Sequence, residues 1–187
     1  TVAFNWENIT GILDEVGPPE PYFCTIVNDL EKFDEKLIIS MYWYGGVGML
    51  FLSEDNGSSW MEITSFPAVN SSGYIHSVSD LLYRNGVLYV GTATSQNGIF
   101  YTEDLVNWEE YSDGLNSFSL SVNKLFASNL NIYKTGGVVD IYKNQLINSY
   151  YLGDVNQDGI INILDIVSII NMVLNGNYSL LADVNED

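Results

Sequence analysis

The stretch that most constrains this chain is residues 153–165, where oxygen-bearing side chains recur at alternating positions of a short loop. With Asp154 counted as the first position, they occupy positions one, three, five, nine and twelve: Asp154, Asn156, Asp158, Asn162 and Asp165. Gly159 at position six permits a sharp turn, and Ile160 at position seven offers its backbone carbonyl. A hard divalent cation takes about six to eight oxygens at roughly 2.3–2.6 Å, so alternate side chains of such a loop must point inward. The spacing therefore predicts a Ca²⁺ site.

A helix is predicted immediately after this loop, over residues 163–174, because the segment is apolar and lacks Pro and Gly. Asn175 and Gly176 supply a stop signal. The loop spacing resembles an EF-hand loop, with Asp165 where Glu is usual. The open alternative is an Asp/Asn/Gly turn without a metal, but the register of the oxygens and the following helix favour Ca²⁺.

The loop with its exiting helix resembles a type I dockerin repeat, Gly-Asp-Val-Asn-x-Asp-Gly-x-x-Asn-x-x-Asp. A second copy begins near the C-terminus, where Asp183, Asn185 and Asp187 align with the first, third and fifth loop positions. Dockerins carry two repeats, so we expect an incomplete second site and a chain that is a fragment. The resemblance implies a cohesin-like partner. Because Ile163 and Leu164 are apolar at positions that contact cohesin, an intramolecular packing partner stays open as well.

Two segments upstream share a turn pattern followed by tryptophan. Residues 53–60 read Ser-x-Asp-x-Gly-x-x-Trp, and residues 102–108 keep Thr, Asp and Trp in a version one residue shorter. They resemble the Asp-box of sialidase-like β-propellers, and residues 5–9 resemble the tail of another box. The resemblance implies a mainly β fold: a partial propeller of about three four-stranded antiparallel blades, plus a small C-terminal α module of EF-hand-like type.

The box residues are predicted to be structural. Asp55 can accept backbone N–H groups of its turn, Gly57 can adopt a positive φ, and Trp60 can bury a large ring. Asn85-Gly86, between apolar runs, predicts a tight β-hairpin. We expect the third strand unit, residues 124–143, to lack a box.

Charge and composition narrow the classes of partner. Six Lys and Arg against 24 Asp and Glu leave a formal charge of −18, which argues against nucleic acid and anionic membranes. The longest apolar run is too short to span a bilayer. Cys24 and His76 are each the sole residue of their type, so we expect no disulfide, catalytic or cofactor-binding group built on them.

The predicted domains are residues 1–150, the partial propeller, and residues 151–187, the calcium-binding module. We expect a secreted, extracellular bacterial protein that is not an enzyme. Its propeller would display a surface for a carbohydrate or protein ligand, and its dockerin-like module would serve attachment or assembly, linked to polysaccharide degradation. The alternative is a fragment of a sialidase-like glycoside hydrolase that carries a dockerin. Such hydrolases use an arginine cluster, whereas this chain has only Arg84.

Overall fold

The protein was analysed as a computed structural model, which describes residues 25–43, 47–67, 77–94, 97–128, 131–136, 140–147, 153–156, 161–177 and 179–182. Eleven strands and one α-helix lie within these ranges. The strands are β1 (Thr25–Phe33), β2 (Lys36–Trp43), β3 (Val47–Ser53), β4 (Met61–Glu62), β5 (Val78–Arg84), β6 (Val87–Thr92), β7 (Ile99–Thr102), β8 (Glu109–Glu110), β9 (Lys124–Ala127), β10 (Asn131–Thr135) and β11 (Ile141–Gln145). The helix is α1 (Ile163–Leu174), followed by a 3-10 turn at Leu180–Ala182.

The strands form three open antiparallel sheets. The first sheet has the order β1-β2-β3-β4, the second β5-β6-β7-β8, and the third β11-β10-β9. The predicted mainly β fold with three antiparallel sheets is therefore confirmed. The third sheet has three strands rather than the predicted four among the described residues, and residues 148–152, which follow β11, lie outside them. No closed propeller forms within the described ranges, and α1 alone does not establish an EF-hand.

The hairpin joining β5 and β6 is the one that Asn85-Gly86 predicts. Arg84 pairs with Val87, and the two residues between them have φ values of 55° and 78°. Two successive positive φ values define a type I′ turn, whose twist matches that of antiparallel strands. Asn and Gly tolerate this conformation best, so this local prediction is confirmed.

The main core lies between the first and second sheets. Its buried members come from both sheets and the segments that follow them: Phe33, Ile38, Leu50, Ile63, Phe66, Val78, Leu81, Leu88, Val90, Phe100 and Leu105. The ring of Phe66 makes edge-on contacts with Phe100 at 5.3 Å and with Trp108 at 4.9 Å between centroids. All six residues of β6 are buried, so both faces of this strand are covered, as in a strand inside stacked layers.

The turn after β3 is built around one carboxylate. Asp55 accepts hydrogen bonds from the Ser53 hydroxyl at 2.9 Å and the Ser59 backbone N–H at 2.8 Å. Gly57, at φ 87°, donates its N–H to the Ser53 hydroxyl at 2.7 Å. Trp60 is buried beyond the turn. The hydrogen bonds from Ser59 hold the pKa of Asp55 below its usual range. These contacts are those predicted for the box residues.

The turn after β7 repeats this arrangement in a shorter form. Asp104 accepts hydrogen bonds from the backbone N–H groups of Asn107 at 2.7 Å and Val106 at 2.9 Å. The Thr102 hydroxyl donates to Asp104, as the Ser53 hydroxyl donates to Asp55 in the first turn. Donation from the Asn107 N–H is the main reason that the pKa of Asp104 falls to about 2. Leu105 replaces glycine at φ 62° and is nevertheless buried in the core. Apolar burial thus offsets a backbone conformation that costs about 1–2 kcal/mol for a non-glycine residue.

A repeated contact links the first strand of each sheet to the first strand of the next. Asp29 of β1 accepts the backbone N–H of Leu81 in β5 at 2.8 Å, and Asp80 of β5 accepts that of Leu125 in β9 at 2.6 Å. Lys124 of β9 forms an ion pair with Asp80 and lies 4.0 Å from Asp29. We call these three side chains the strand clasp. They connect β1 to β5 and β5 to β9.

The chain forms two compact units, residues 1–126 with 133–143, and residues 127–132 with 144–187. The first unit contains the strand clasp and the main core. The second contains α1 and the segment that leads into it. The predicted boundary between residues 150 and 151 stays a prediction.

Candidate functional site

The candidate site is the loop that leads into α1. At its start, Gly153 adopts φ 96°, which favours glycine, and donates its N–H to the carbonyl of Leu181 at 2.8 Å. Asp154 and Val155, which follow, are both buried, as is Leu181. The backbone hydrogen bond of Gly153 and the burial of Val155 therefore hold the start of the loop, where Asp154 is the first predicted ligand.

The two ends of the loop meet through Asp165. Its carboxylate accepts the backbone N–H of Asn156 at 3.2 Å through one oxygen and that of Asn162 at 2.8 Å through the other. Asp165 is only 1% exposed. The structure thus brings the carboxylate of the twelfth loop position against the backbone of the third and of the ninth.

Asn162 and Asp165 also form the start of α1. The side-chain oxygen of Asn162 accepts the N–H of Leu164 at 2.8 Å, and Asp165 reciprocates at the N–H of Asn162, which makes a capping box. This role of the two residues was missed from the sequence. The signal was present, because a capping residue followed three positions later by a carboxylate and an apolar run is the sequence mark of a helix start.

The electrostatics of Asp165 suit a carboxylate that stays ionised. Hydrogen bonding from the Asn162 N–H is the leading cause that lowers its pKa, with smaller help from Asn156. Hydrogen bonds from the backbone N–H groups of Val155 and of Asp165 itself lower the pKa further. The donor set of carboxylates, amides and a backbone carbonyl is the one that hard cations such as Ca²⁺ prefer.

Four of the six residues predicted for this site are described: Asp154, Asn156, Asn162 and Asp165. Asp158 and Ile160 fall in residues 157–160, which lie outside the described residues. Asp183, Asn185 and Asp187 of the second repeat also lie outside them. Within the part of the chain that the structure describes, no three His, Cys, Asp or Glu side chains are grouped closely enough to hold a metal. The calcium site stays a prediction.

Helix α1 spans the predicted residues 163–174 and ends at the predicted Asn175-Gly176, where Gly176 has φ 68°. Its side facing the loop carries the buried Asp165, with Ile169 and Met172 half-buried. The opposite side carries an apolar stripe whose members are each at least 47% exposed. This helix stripe consists of Ile163, Ile166, Val167, Ile170, Val173 and Leu174. Their spacing of three and four residues places them along one side of the helix.

Comparison with known proteins gives a limited result. No family model matches the chain, and no curated protein matches it significantly. Among solved structures it is similar to the extracellular domain of a one-component system from B. thetaiotaomicron, at 20% identity and a TM-score of 0.47 over 67% of this chain. The chain spans only 16% of the length of that structure's chain.

It is also similar to the computationally designed protein Ika4, at 16% identity and a TM-score of 0.36, over 60% of this chain and 62% of that one. Both TM-scores lie below 0.5, so neither likeness establishes a shared fold. In the described ranges, no helix combines the length and apolar character needed to cross a membrane.

Proposed function

We propose that the C-terminal segment is a calcium-binding, dockerin-like attachment module of a secreted bacterial protein that is not an enzyme. The observation that carries the proposal is the position of Asp165. This buried carboxylate receives N–H groups from loop positions three and nine, which supports a loop folded around a common centre. The buried Asp154 at the first position supports the same arrangement.

The residues that would hold Ca²⁺ are Asp154, Asn156, Asp158, Asn162 and Asp165, with the carbonyl of Ile160. The ion would supply positive charge that offsets the mutual repulsion of three carboxylates within one short loop. The chain's own part is to present oxygens at alternate positions and to start the helix through the capping box. Because Asp165 serves both the loop and the cap, we expect calcium binding and helix formation to be coupled.

For the β part, we propose that the sheets are blades of an Asp-box β-propeller that displays a ligand surface for a carbohydrate or protein. Three features support this: the packing of the first two sheets against each other, box turns at the same place in both, and the aspartate-to-backbone contact that recurs from one sheet to the next. A cohesin-like protein is one partner that the dockerin resemblance offers for the module. Attachment in assemblies that degrade polysaccharides is the setting that this resemblance favours.

Isothermal titration calorimetry with Ca²⁺ tests the proposal on the whole chain. We expect binding by the parent protein in the roughly 10⁻⁴–10⁻³ M range common for extracellular modules. Asp154→Asn should weaken it at least about tenfold, because a charged ligand becomes neutral. Asp113→Asn, which changes the same charge at an exposed turn, is the matched control and should bind as the parent does.

Far-ultraviolet circular dichroism gives an independent readout of the coupling to α1. Chelation should lower helical signal in the parent and in Asp113→Asn, and should change Asp154→Asn far less. An unchanged heat of binding in Asp154→Asn would remove this loop as the site.

A further inference from the structure

The dipeptide Asn-Gly occurs four times in this chain, at residues 56–57, 85–86, 97–98 and 175–176. In this dipeptide the backbone nitrogen of glycine can attack the side-chain amide carbon of asparagine, because glycine has no Cβ to hinder the approach. The four copies lie in the turn after β3, the β5–β6 hairpin, the turn before β7 and the end of α1. The reacting groups are therefore identical, and the fold decides which copy reacts.

Two of the four glycines are buried and held in place. Gly57 is buried, and its N–H, which would have to attack, donates to the Ser53 hydroxyl at 2.7 Å. Gly98 is also buried, and a Cβ added there would collide with the side chain of Ser112. The peptide group before each glycine must rotate to bring its nitrogen to the amide carbon, and these surroundings resist that rotation.

The third copy is held by the strands on either side of it. Residues 85–86 are exposed and uncrowded, but they form the type I′ turn of the β5–β6 hairpin. Val87, the next residue, is completely buried, and Leu81 and Leu88 of the two strands belong to the main core. Rotation of the turn peptide therefore has to disturb strands that open only at a high free energy.

The fourth copy, at the end of α1, is held by hydrogen bonds that are exposed to water. The side-chain amide of Asn175 donates to the carbonyl of Asn171 at 2.7 Å, and the N–H of Gly176 donates to that of Val173 at 3.2 Å. Residues 173–177 are all exposed, and no atom lies within 4 Å of the place that a Cβ on Gly176 would take. Helix ends open at a free energy near zero, so the reacting groups are released often.

We propose that Asn175 is a site of spontaneous covalent modification, which converts it to isoaspartate through a cyclic imide. In the first step the nitrogen of Gly176 bonds to Cγ of Asn175, and the side-chain nitrogen leaves as ammonia with the proton of the Gly176 N–H. In the second step water opens the ring. Attack at the main-chain carbonyl gives isoaspartate, in which the main chain runs through the former side chain, and attack at Cγ gives aspartate. Water is the only co-reactant.

Both products change the end of α1. Each places a carboxylate beside the negative end of the helix dipole, which is unfavourable. Isoaspartate also lengthens the main chain by one methylene. The N–H groups of Gly176 and Asn177 then no longer match the carbonyls of Val173 and Met172, to which they donate at 3.2 and 2.9 Å. The last turn of α1 should therefore lose helical order, and this end of the helix stripe should lose its fixed arrangement.

Peptide mapping by mass spectrometry tests the proposal on the whole chain after incubation in mildly alkaline buffer. In the folded protein, Asn175 should convert at least about tenfold faster than the asparagines of the other three copies, because its surroundings open at the lowest free energy. The same chain in concentrated urea is the reference, and there the four rates should converge. A folded protein in which another copy reacts as fast as Asn175 would overturn the inference. The same tenfold preference in urea would overturn it too, since the fold would not be its cause.

Labelling with an isoaspartyl methyltransferase gives a second readout. Asn175→Gln should lose most of the label, because glutamine would have to close a larger ring and does so more slowly. Asn85→Gly removes an exposed Asn-Gly pair, keeps a turn that tolerates positive φ, and is the matched control that should be labelled like the parent. Circular dichroism should show a loss of helix in the aged parent but not in aged Asn175→Gln. A folded parent that stays unlabelled while the urea-treated chain is labelled would refute the site.

Calcium separates this inference from the proposed function. If Ca²⁺ orders α1 as proposed above, it should slow the conversion of Asn175, and chelator should restore the faster rate. Conversion that is indifferent to both, yet fastest at Asn175, would count against the coupling of calcium to the helix and would keep the modification site.

Discussion

Asp80 should be a main source of stability where the first strands of the three sheets meet. Its side chain is 1% exposed, accepts the N–H of Leu125 at 2.6 Å and pairs with Lys124. The pKa values of Asp80 and Lys124 have different leading causes. Burial is the leading influence on Asp80 and raises its pKa, whereas hydrogen bonding to Asp80 raises the pKa of Lys124. The cost of dehydration falls on the aspartate because the lysine keeps 66% of its side-chain surface exposed.

The magnitude for Asp80→Ala follows from these contacts. Leu125 is 4% exposed, so its N–H would lose its acceptor in a buried place, which costs about 1–3 kcal/mol. Loss of the ion pair adds about 0–1 kcal/mol, since Lys124 can return to water. Removal of the buried carboxylate also removes its dehydration cost, which offsets part of the lost unfolding free energy. We expect a net loss of about 1–3 kcal/mol.

Denaturant unfolding followed by tryptophan fluorescence measures this loss, because Trp60 and Trp108 pack within the β part. Asp113→Ala, at an exposed turn, should stay within about 0.5 kcal/mol of the parent. Asp29→Ala should also lose about 1–3 kcal/mol, since Leu81 is 3% exposed and its N–H would lose its acceptor in a buried place. If Asp80→Ala unfolds at the same midpoint and slope as the parent, the strand clasp does not hold the sheets together.

Two further changes probe packing and pH. Gly91→Ala would place a Cβ 2.5 Å from Cγ1 of the buried Val122, which should cost about 1–3 kcal/mol of unfolding free energy. Adding Val122→Ala should recover part of that loss; additive losses would contradict the clash. The hydrogen bond to Glu109 is the main cause that raises the pKa of Tyr101 to about 12. A raised folded-state pKa stabilises the fold below about pH 10. That contribution should fade between about pH 10 and 12. The late phase of tyrosinate absorbance should be smaller in Tyr101→Phe than in the parent, and what remains should come from Tyr83, whose pKa burial and Asp34 also raise to about 12.

Local features of this chain were predictable because their causes lie within a few residues. The helix over residues 163–174 follows from an apolar-rich segment without Pro or Gly and from the stop at Asn175-Gly176. The Asn85-Gly86 hairpin follows from two residues that tolerate positive φ. The contacts of Asp165 are also local, since it bonds to residues three and nine positions before it.

Contacts between sheets were not predictable in the same way. Asp29 and Asp80 bind backbone groups 52 and 45 residues along the chain, and nothing in their own neighbourhoods announces this. Lys134 is a second case. A lysine within a strand is ordinarily expected at the surface, yet this one is 3% exposed and donates to the carbonyls of Ser119 and Ser121. Burial accordingly lowers its pKa. Only a fold that brings those carbonyls to it makes the position favourable.

The third sheet shows why a search for box residues finds fewer repeats than the strands form. Residues 142–146, Tyr-Lys-Asn-Gln-Leu, align with residues 101–105, Tyr-Thr-Glu-Asp-Leu, and the leucine that closes each segment is buried. The third copy has Gln145 where Asp104 accepts two backbone N–H groups of its turn. A neutral amide is a weaker acceptor than a carboxylate, and β11 nevertheless forms a strand. Within β11 only Tyr142 is half-buried and the other four residues are exposed, so this strand forms without an alternating pattern of burial. Its pairing with β10 and the buried Leu146 that follows it keep the strand in a repeat that has no carboxylate at this position.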